Sequence, residues 1–246
     1  MASLLHTRGL TLKFGGVVAA DGIDFDLQAG ERLAVIGANG AGKTTFINMV
    51  TGYIKPHSGT IHFDGSEITR LHPRQIVQRG IGRSFQLPQL FLEHTVRESI
   101  ELAIAARLGK MGLFRPLERS VDQAEVGHVL EVVGMAARAN DHCGSLPEGH
   151  RKLLDIAMAL VLRPKLLIMD EPTSGVAADE KHGLMATIMN ALSQRSVTAI
   201  FVEHDVDIVM QYATRVAAWI SGRIAADGPP DVVMKDPDVR TVVLGH

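Results

Sequence analysis

The stretch RLAVIGANGAGKTTFINMV, Arg32 to Val50, limits the fold more than any other part of the chain. Its first six residues form an almost unbroken apolar run ending in glycine, and the residues after Gly42 repeat at helical spacing up to a glycine stop at Gly52. Strand, loop, helix is the reading. A buried strand that feeds a helix in this way belongs to a parallel sheet with crossover helices. Gly37, four residues and then Gly42-Lys43-Thr44 also match the phosphate-binding loop pattern. Glycines let consecutive backbone N–H groups turn inward onto phosphate oxygens, and the helix behind adds the positive end of its dipole. The expected nucleotide contacts are Gly37, Asn39, Gly40, Ala41, Gly42, Lys43, Thr44 and Thr45. Lys43 is expected to bridge the β- and γ-phosphates, and Thr44 to offer its hydroxyl to magnesium.

A loop alone holds phosphates without hydrolysing them, so a second acidic site is required. KLLIMDE supplies it: a buried strand ending in Asp170-Glu171 is expected to place one carboxylate at the magnesium and the next where it can polarise water. VTAIFVEHD repeats the strand character, with a helical segment near 179–193 between the two, which completes a parallel α/β core. Before the loop, apolar and polar residues alternate from Leu10 to Gln28, most clearly in GIDFDLQ, and predict antiparallel strands. Helical periodicity over 95–107 and 121–137 marks an inserted helical subdomain. The expected organisation is one domain: an α/β core with an antiparallel β subdomain over 1–86 and 164–246, and a helical subdomain over 87–163. After Asp205 a short helix, two strands (RVAAWI, RIAADG) and a terminal helix are expected.

Composition excludes other classes. A net charge of −2 gives no basic surface for nucleic acid, and one cysteine, Cys143, permits no intrachain disulfide, which suits a reducing compartment. The apolar runs fall short of the roughly 18–20 residues that cross a bilayer. The N-terminal stretch, broken by His6, Arg8 and Lys13, lacks the apolar segment of a secretory signal. A membrane role is therefore expected to be peripheral and cytoplasmic.

Taken with SFQ, LPEGHRKLLDIA, EPTSG and FVEHD, these motifs resemble, in order and spacing, the ATP-binding subunits of ABC transporters over nearly the whole chain. LKFGGVVAADGIDFDL, FQLPQLFLEHTVRESI and DPDVRTVVLGH are similar to the branched-chain (hydrophobic) amino-acid uptake group and its LivG-type subunits. The resemblance implies an α/β P-loop NTPase that hydrolyses ATP with Mg2+. In it Glu171 is the catalytic base, His204 contacts the γ-phosphate, Gln86 contacts magnesium and the attacking water, and Phe14 stacks on adenine. Thr44, Gln86 and Asp170 are the implied magnesium ligands. It also implies transmembrane permease subunits, a second ATPase subunit that closes over ATP, an indirect link to a periplasmic solute-binding protein, and a place on the inner face of the cell membrane. Alternatives of similar layout are an exporter ATPase of the lipopolysaccharide type, a urea or amide importer, and a non-transport ABC protein acting on DNA or ribosomes. A GTPase would need an Asn-Lys-x-Asp motif, which does not occur.

The chain departs from the family at one helix start. The usual Leu-Ser-Gly-Gly-Gln, which faces the partner's ATP, is here Leu146-Pro147-Glu148-Gly149-His150. Pro147 is expected in the first helical turn, where it is tolerated but supplies neither hydroxyl nor N–H. Glu148 adds negative charge, Gly149 persists, and Ala177 replaces the acidic or amide residue common in that position. The apolar stretch after Gln86, with Leu87, Pro88, Leu90, Phe91 and Leu92, is expected either to receive short helices of a permease or to pack the helical subdomain. LGKMGLFRPLERS is expected as an exposed interhelical loop, or as a membrane-facing one through Arg115 and Arg119.

Overall fold

A computed structural model describes residues 3–110 and 117–242. The proposed membrane contact at Arg115 lies outside the described residues. Two compact units are present, one of residues 1–81 with 198–246 and the other of residues 82–197.

In the first unit, β1 (Leu5–Phe14) and β2 (Val17–Leu27) form the expected antiparallel pair. Their tip is the Gly15-Gly16 turn, where Gly15 takes a φ of 56° that a side chain would strain. Next come β3 (Arg32–Gly37), α1 (Lys43–Val50), β4 (Ser58–Phe63), β5 (Ser66–Glu67) and α2 (Pro73–Gln78). β4 pairs antiparallel with β1 and with β5, so the N-terminal sheet runs β2-β1-β4-β5.

The chain then enters the second unit through β6 (Ile81–Ser84). α3 (Val96–Leu108) starts at Thr95, whose Oγ1 accepts from the Glu98 N–H at 3.2 Å while the Glu98 carboxylate accepts from the Thr95 N–H at 2.7 Å. α4 (Gln123–Val132), α5 (Glu148–Val161), β7 (Leu166–Asp170) and α6 (Lys181–Gln194) follow. The helical stretch expected over 87–163 contains α3, α4 and α5, and the same compact unit includes β7 and α6 as well. α5 buries every residue from Lys152 to Ala157 and again Ala159, Leu160 and Val161, so most of its circumference past the first turn is covered, as in a helix packed on several sides.

β8 (Thr198–Val202) returns to the first unit, followed by α7 (Val206–Tyr212), β9 (Arg215–Ile220), β10 (Arg223–Gly228), α8 (Pro230–Val233) and α9 (Pro237–Val242). β3 pairs in parallel with both β8 and β9, which gives the parallel core read from the apolar strands. β10 closes antiparallel on β9 and makes the sheet mixed. The core of this unit centres on Phe46 of α1, whose ring lies 5.4 Å edge-on from Phe25 and 5.2 Å from Trp219. Packing therefore fixes the helix that follows the glycine loop.

Candidate functional site

The loop at the end of β3 is built by backbone geometry. Gly42 caps α1 with φ 105° and ψ 0°, and no side chain caps that helix. A Cβ at Gly42 would stand 2.3 Å from the Ala19 carbonyl oxygen, so sterics as well as dihedral strain require glycine. The first turn of α1 holds no acidic residue, which leaves the positive end of its dipole available to an anion. Lys43 is buried, and its Nζ donates to the carbonyl oxygens of Gly37 at 2.6 Å and Ala38 at 3.0 Å. The ammonium is thus held at the loop itself. Asn39, Gly40 and Thr44 are exposed, Ala41 is buried and Thr45 is half-buried. This donor set fits a polyphosphate: glycine-dependent backbone, a fixed cation and an uncompensated helix start.

Two other predicted residues belong to the same unit. Phe14 ends β1 and is 51% exposed, so about half of this aromatic residue is open to solvent. His204 is exposed two residues past the end of β8, and it lines a small recess with Ile36, Gly37, Glu203, Val206, Val209 and Met234. His204 and the first glycine of the loop therefore share one recess.

The second unit carries the acidic residues. β7 ends at Asp170, which is buried, and Arg83 Nη2 of β6 stands 3.4 Å from its Oδ2. The Arg83 guanidinium also lies 4.7 Å over the Phe85 ring. Glu171 lies beyond the strand with φ 51°, a left-handed conformation uncommon for a non-glycine residue. Gln86 is exposed, and its Nε2 donates to Glu171 Oε2 at 2.7 Å. The glutamine predicted to touch attacking water and the carboxylate predicted to activate it are hydrogen-bonded partners.

Pro147 sits one position earlier than expected. It is the N-cap of α5, with φ −56° and ψ 155°, and Glu148 opens the helix. Proline suits that position because an N-cap residue is extended, and the ring fixes a compatible φ. Gly149 faces Val176, where an added Cβ would find ordinary contact at 3.6 Å. A Cβ at Gly175 would likewise lie 3.5 Å from Glu148 Cγ, so the glutamate stem rests over that turn. Ala177 is exposed.

Sequence reasoning missed a buried polar set around these residues. Lys152 and Asp155 are both buried on α5. Lys152 Nζ donates to the Glu171 carbonyl oxygen at 2.6 Å, and Asp155 Oδ2 accepts from the Phe85 N–H at 3.2 Å. Burial raises the Asp155 carboxyl above its ordinary range, against hydrogen bonds from Ser84, Phe85 and Gln89 and the nearby Lys152 charge. A lysine and an aspartate three apart inside the apolar run KLLDIAMAL were the available signal.

The family model "ABC transporter" matches residues 20–174. The branched-chain amino-acid transport ATP-binding protein BraF of Pseudomonas aeruginosa is 35% identical, over 99% of this chain and 98% of that protein. LivG of Escherichia coli, of the same description, is 34% identical over 99% and 98%. Among solved structures, the ADP conformation of MJ1267, an ATP-binding cassette of an ABC transporter, superposes with a TM-score of 0.83 at 30% identity, covering 100% of both chains. CbiO1 of Clostridium perfringens, part of the transporter complex CbiONQ, superposes with 0.82 at 28% identity, over 98% of this chain and 94% of that one. With a phosphate loop on the parallel sheet and an acidic strand end beside a glutamine, the chain belongs to the ABC transporter family as an ATP-binding subunit homologous to the ATPases of branched-chain amino-acid importers.

Proposed function

We propose that this subunit binds ATP with magnesium, hydrolyses it, and uses nucleotide-driven closure with a second ATPase subunit to move permease subunits that import branched-chain amino acids or a related small solute. The observation that carries this reading is the Gln86–Glu171 hydrogen bond at 2.7 Å, next to a strand ending in a buried aspartate. A carboxylate held by an amide that also reaches water is the arrangement general-base hydrolysis needs.

The roles follow the chemistry of each side chain. The loop from Gly37 to Thr45 takes the phosphates, with Lys43 on the β- and γ-oxygens. Thr44, Gln86 and Asp170 are the residues that would hold magnesium, which would supply neutralisation of phosphate charge. The oxygen-only donor set suits that hard cation. Glu171 accepts the proton of the attacking water, His204 steadies the γ-phosphate, and Phe14 offers its exposed ring to adenine. Gly149, at the start of α5, approaches the nucleotide of the second subunit. The functional parts are taken as an α/β core over 1–86 and 164–246 and a helical subdomain over 87–163.

Leu87, Phe91 and Leu92 are 73%, 59% and 54% exposed, in a segment anchored by the Gly144 N–H donating to the Leu92 carbonyl at 3.0 Å. Exposed apolar side chains on an anchored backbone support the permease-docking reading over the packing one. No described helix is long and apolar enough to cross a membrane, which is consistent with peripheral attachment at the inner face through those permeases. A periplasmic solute-binding protein would act on the far side, and nucleic acid has no part.

The test is magnesium-dependent ATP binding and phosphate release by the purified chain with its second ATPase subunit, followed by reconstitution with the permease subunits in vesicles and the solute-binding protein outside. Leucine uptake that depends on ATP inside the vesicles is the expected result; ATP turnover unresponsive to any branched-chain amino acid would refute the importer assignment.

A further inference from the structure

The Glu171 main chain, in an unusual backbone conformation, receives a hydrogen bond from α5, the helix that begins at Glu148. Its φ of 51° is one a bulky residue adopts only where the surroundings impose it. Its carbonyl oxygen accepts two hydrogen bonds, from the Ser174 N–H at 3.1 Å and from Lys152 Nζ at 2.6 Å. The first belongs to the local turn. The second comes from the middle of α5, where Lys152 is only 3% exposed among Leu153, Leu154 and Ile156. A charged ammonium in such a place is costly to desolvate and is retained where it is paired.

We infer that Lys152 is a positioning residue for hydrolysis: its ammonium fixes the Glu171 main chain so that the carboxylate keeps its station against Gln86. This rests on the reading of Glu171 as the base. The side chain of Glu171 is oriented by Gln86 and its backbone by Lys152, so two donors from different elements determine one carboxylate. The same helix carries Gly149 at its start, one turn before Lys152. A shift of α5 on meeting a second subunit's nucleotide would therefore be transmitted directly to this chain's own base. Asp155, one turn further on, holds the Phe85 N–H next to Gln86 and extends the same tie to the glutamine segment.

The test compares Lys152→Met, which keeps the buried stem and deletes the donor, with Lys152→Arg, which keeps a cationic donor. Both are made in the full chain. Turnover, KM for ATP and affinity for a fluorescent ATP analogue are measured beside a thermal melt. The expected result for Lys152→Met is a kcat about tenfold to a hundredfold lower with nucleotide affinity within threefold, because a misplaced general base loses rate and not binding. Lys152→Arg recovers most of that loss. A Lys152→Met chain that turns over at the wild-type rate overturns the inference and leaves the assignment of Glu171 intact. An equal loss of kcat and affinity in a folded Lys152→Arg chain also overturns it, since the lysine would then be structural. A wild-type chain that binds ATP without turnover, alone and with its second ATPase subunit, removes the hydrolytic reading itself. Should Lys152→Met melt below the assay temperature, the Arg variant alone decides, through its kcat against its affinity.

Discussion

Gln86 Nε2 donates to Glu171 Oε2 at 2.7 Å, and this one bond joins the segment after β6 to the residue that follows β7. The bond orients the carboxylate through a neutral amide donor. Glu171→Gln should therefore lower phosphate release by about 10²- to 10⁴-fold, the usual worth of a positioned general base, with ATP affinity kept. Gln86→Ala removes one hydrogen bond to a charged acceptor, about 1.5 kcal/mol, and should cost about tenfold in kcat. Steady-state kinetics with parallel nucleotide titration check both; a Glu171→Gln chain with normal turnover excludes Glu171 as the base.

The phosphate loop should separate binding from folding. Lys43→Ala deletes a cation that donates to the Gly37 and Ala38 carbonyls of its own loop, and it leaves the Phe46–Trp219 ring contact in place. Affinity for ATP should fall about tenfold to a hundredfold, the worth of a charge-assisted contact, with little change in melting. Gly42→Ala instead drives a Cβ to within 2.3 Å of the Ala19 carbonyl at φ 105°, so it should lose binding and about 2–4 kcal/mol of stability together. Denaturant melts and equilibrium binding on the two variants distinguish the cases.

Much of this was legible before any coordinates. Apolar runs ending at Gly37, Asp170 and Val202 named three core strands, because buried strands leave few alternatives to Val, Ile and Leu. The Thr95-Glu98 cap placed the start of α3 where periodicity put it. β4, β5, β6, α2 and α8 were not read: β5 spans only Ser66–Glu67, β6 only Ile81–Ser84 and α8 only Pro230–Val233, too short for a period to show. Lys152 and Asp155 escaped for another reason. Their spacing is that of a helix face, but only tertiary packing decides whether a charged residue on such a face is buried or wet.

Glu125 predicts how the helical unit responds to acid. Arg107 donates to both of its carboxylate oxygens, at 2.8 and 2.7 Å, and Arg163 adds a bond at 3.2 Å, which together hold its carboxyl at about 2 against an ordinary 4.5 despite some desolvation. A lowered folded-state value means the stabilisation is complete above pH 4.5 and is lost as pH falls towards 2. The pair is partly solvated, so its worth is about 1–2 kcal/mol after screening. Urea unfolding of wild type and Glu125→Gln should show that gap at pH 7, and a steady closing of it below pH 4.5. A gap independent of pH would mean the glutamate acts by packing alone.

The start of α5 yields the prediction most specific to this chain. Pro147 caps the helix without a side-chain hydrogen bond, Glu148 lies over Gly175, and Gly149 meets Val176 only at ordinary contact distance. A Cβ at 149 would meet Val176 at ordinary contact distance, so a variant there tests the proposed approach of a second subunit's nucleotide without disturbing that contact. Gly149→Ala should leave the melting temperature nearly unchanged, at a helix-interior gain of up to about 1 kcal/mol, and still reduce turnover. Pro147→Ser with Glu148→Gly adds a hydroxyl donor and removes a carboxylate where a triphosphate is proposed to arrive. If the native helix closes over a partner's ATP but catalyses poorly, this double variant should raise turnover at least about tenfold, since a single oriented donor in a catalytic site is worth roughly 10²- to 10³-fold. Phosphate release by the active dimer measures it, with one variant subunit mixed against one wild type. Unchanged turnover would show that Glu148 stays clear of the nucleotide and that the altered helix start serves catalysis as well as the usual one.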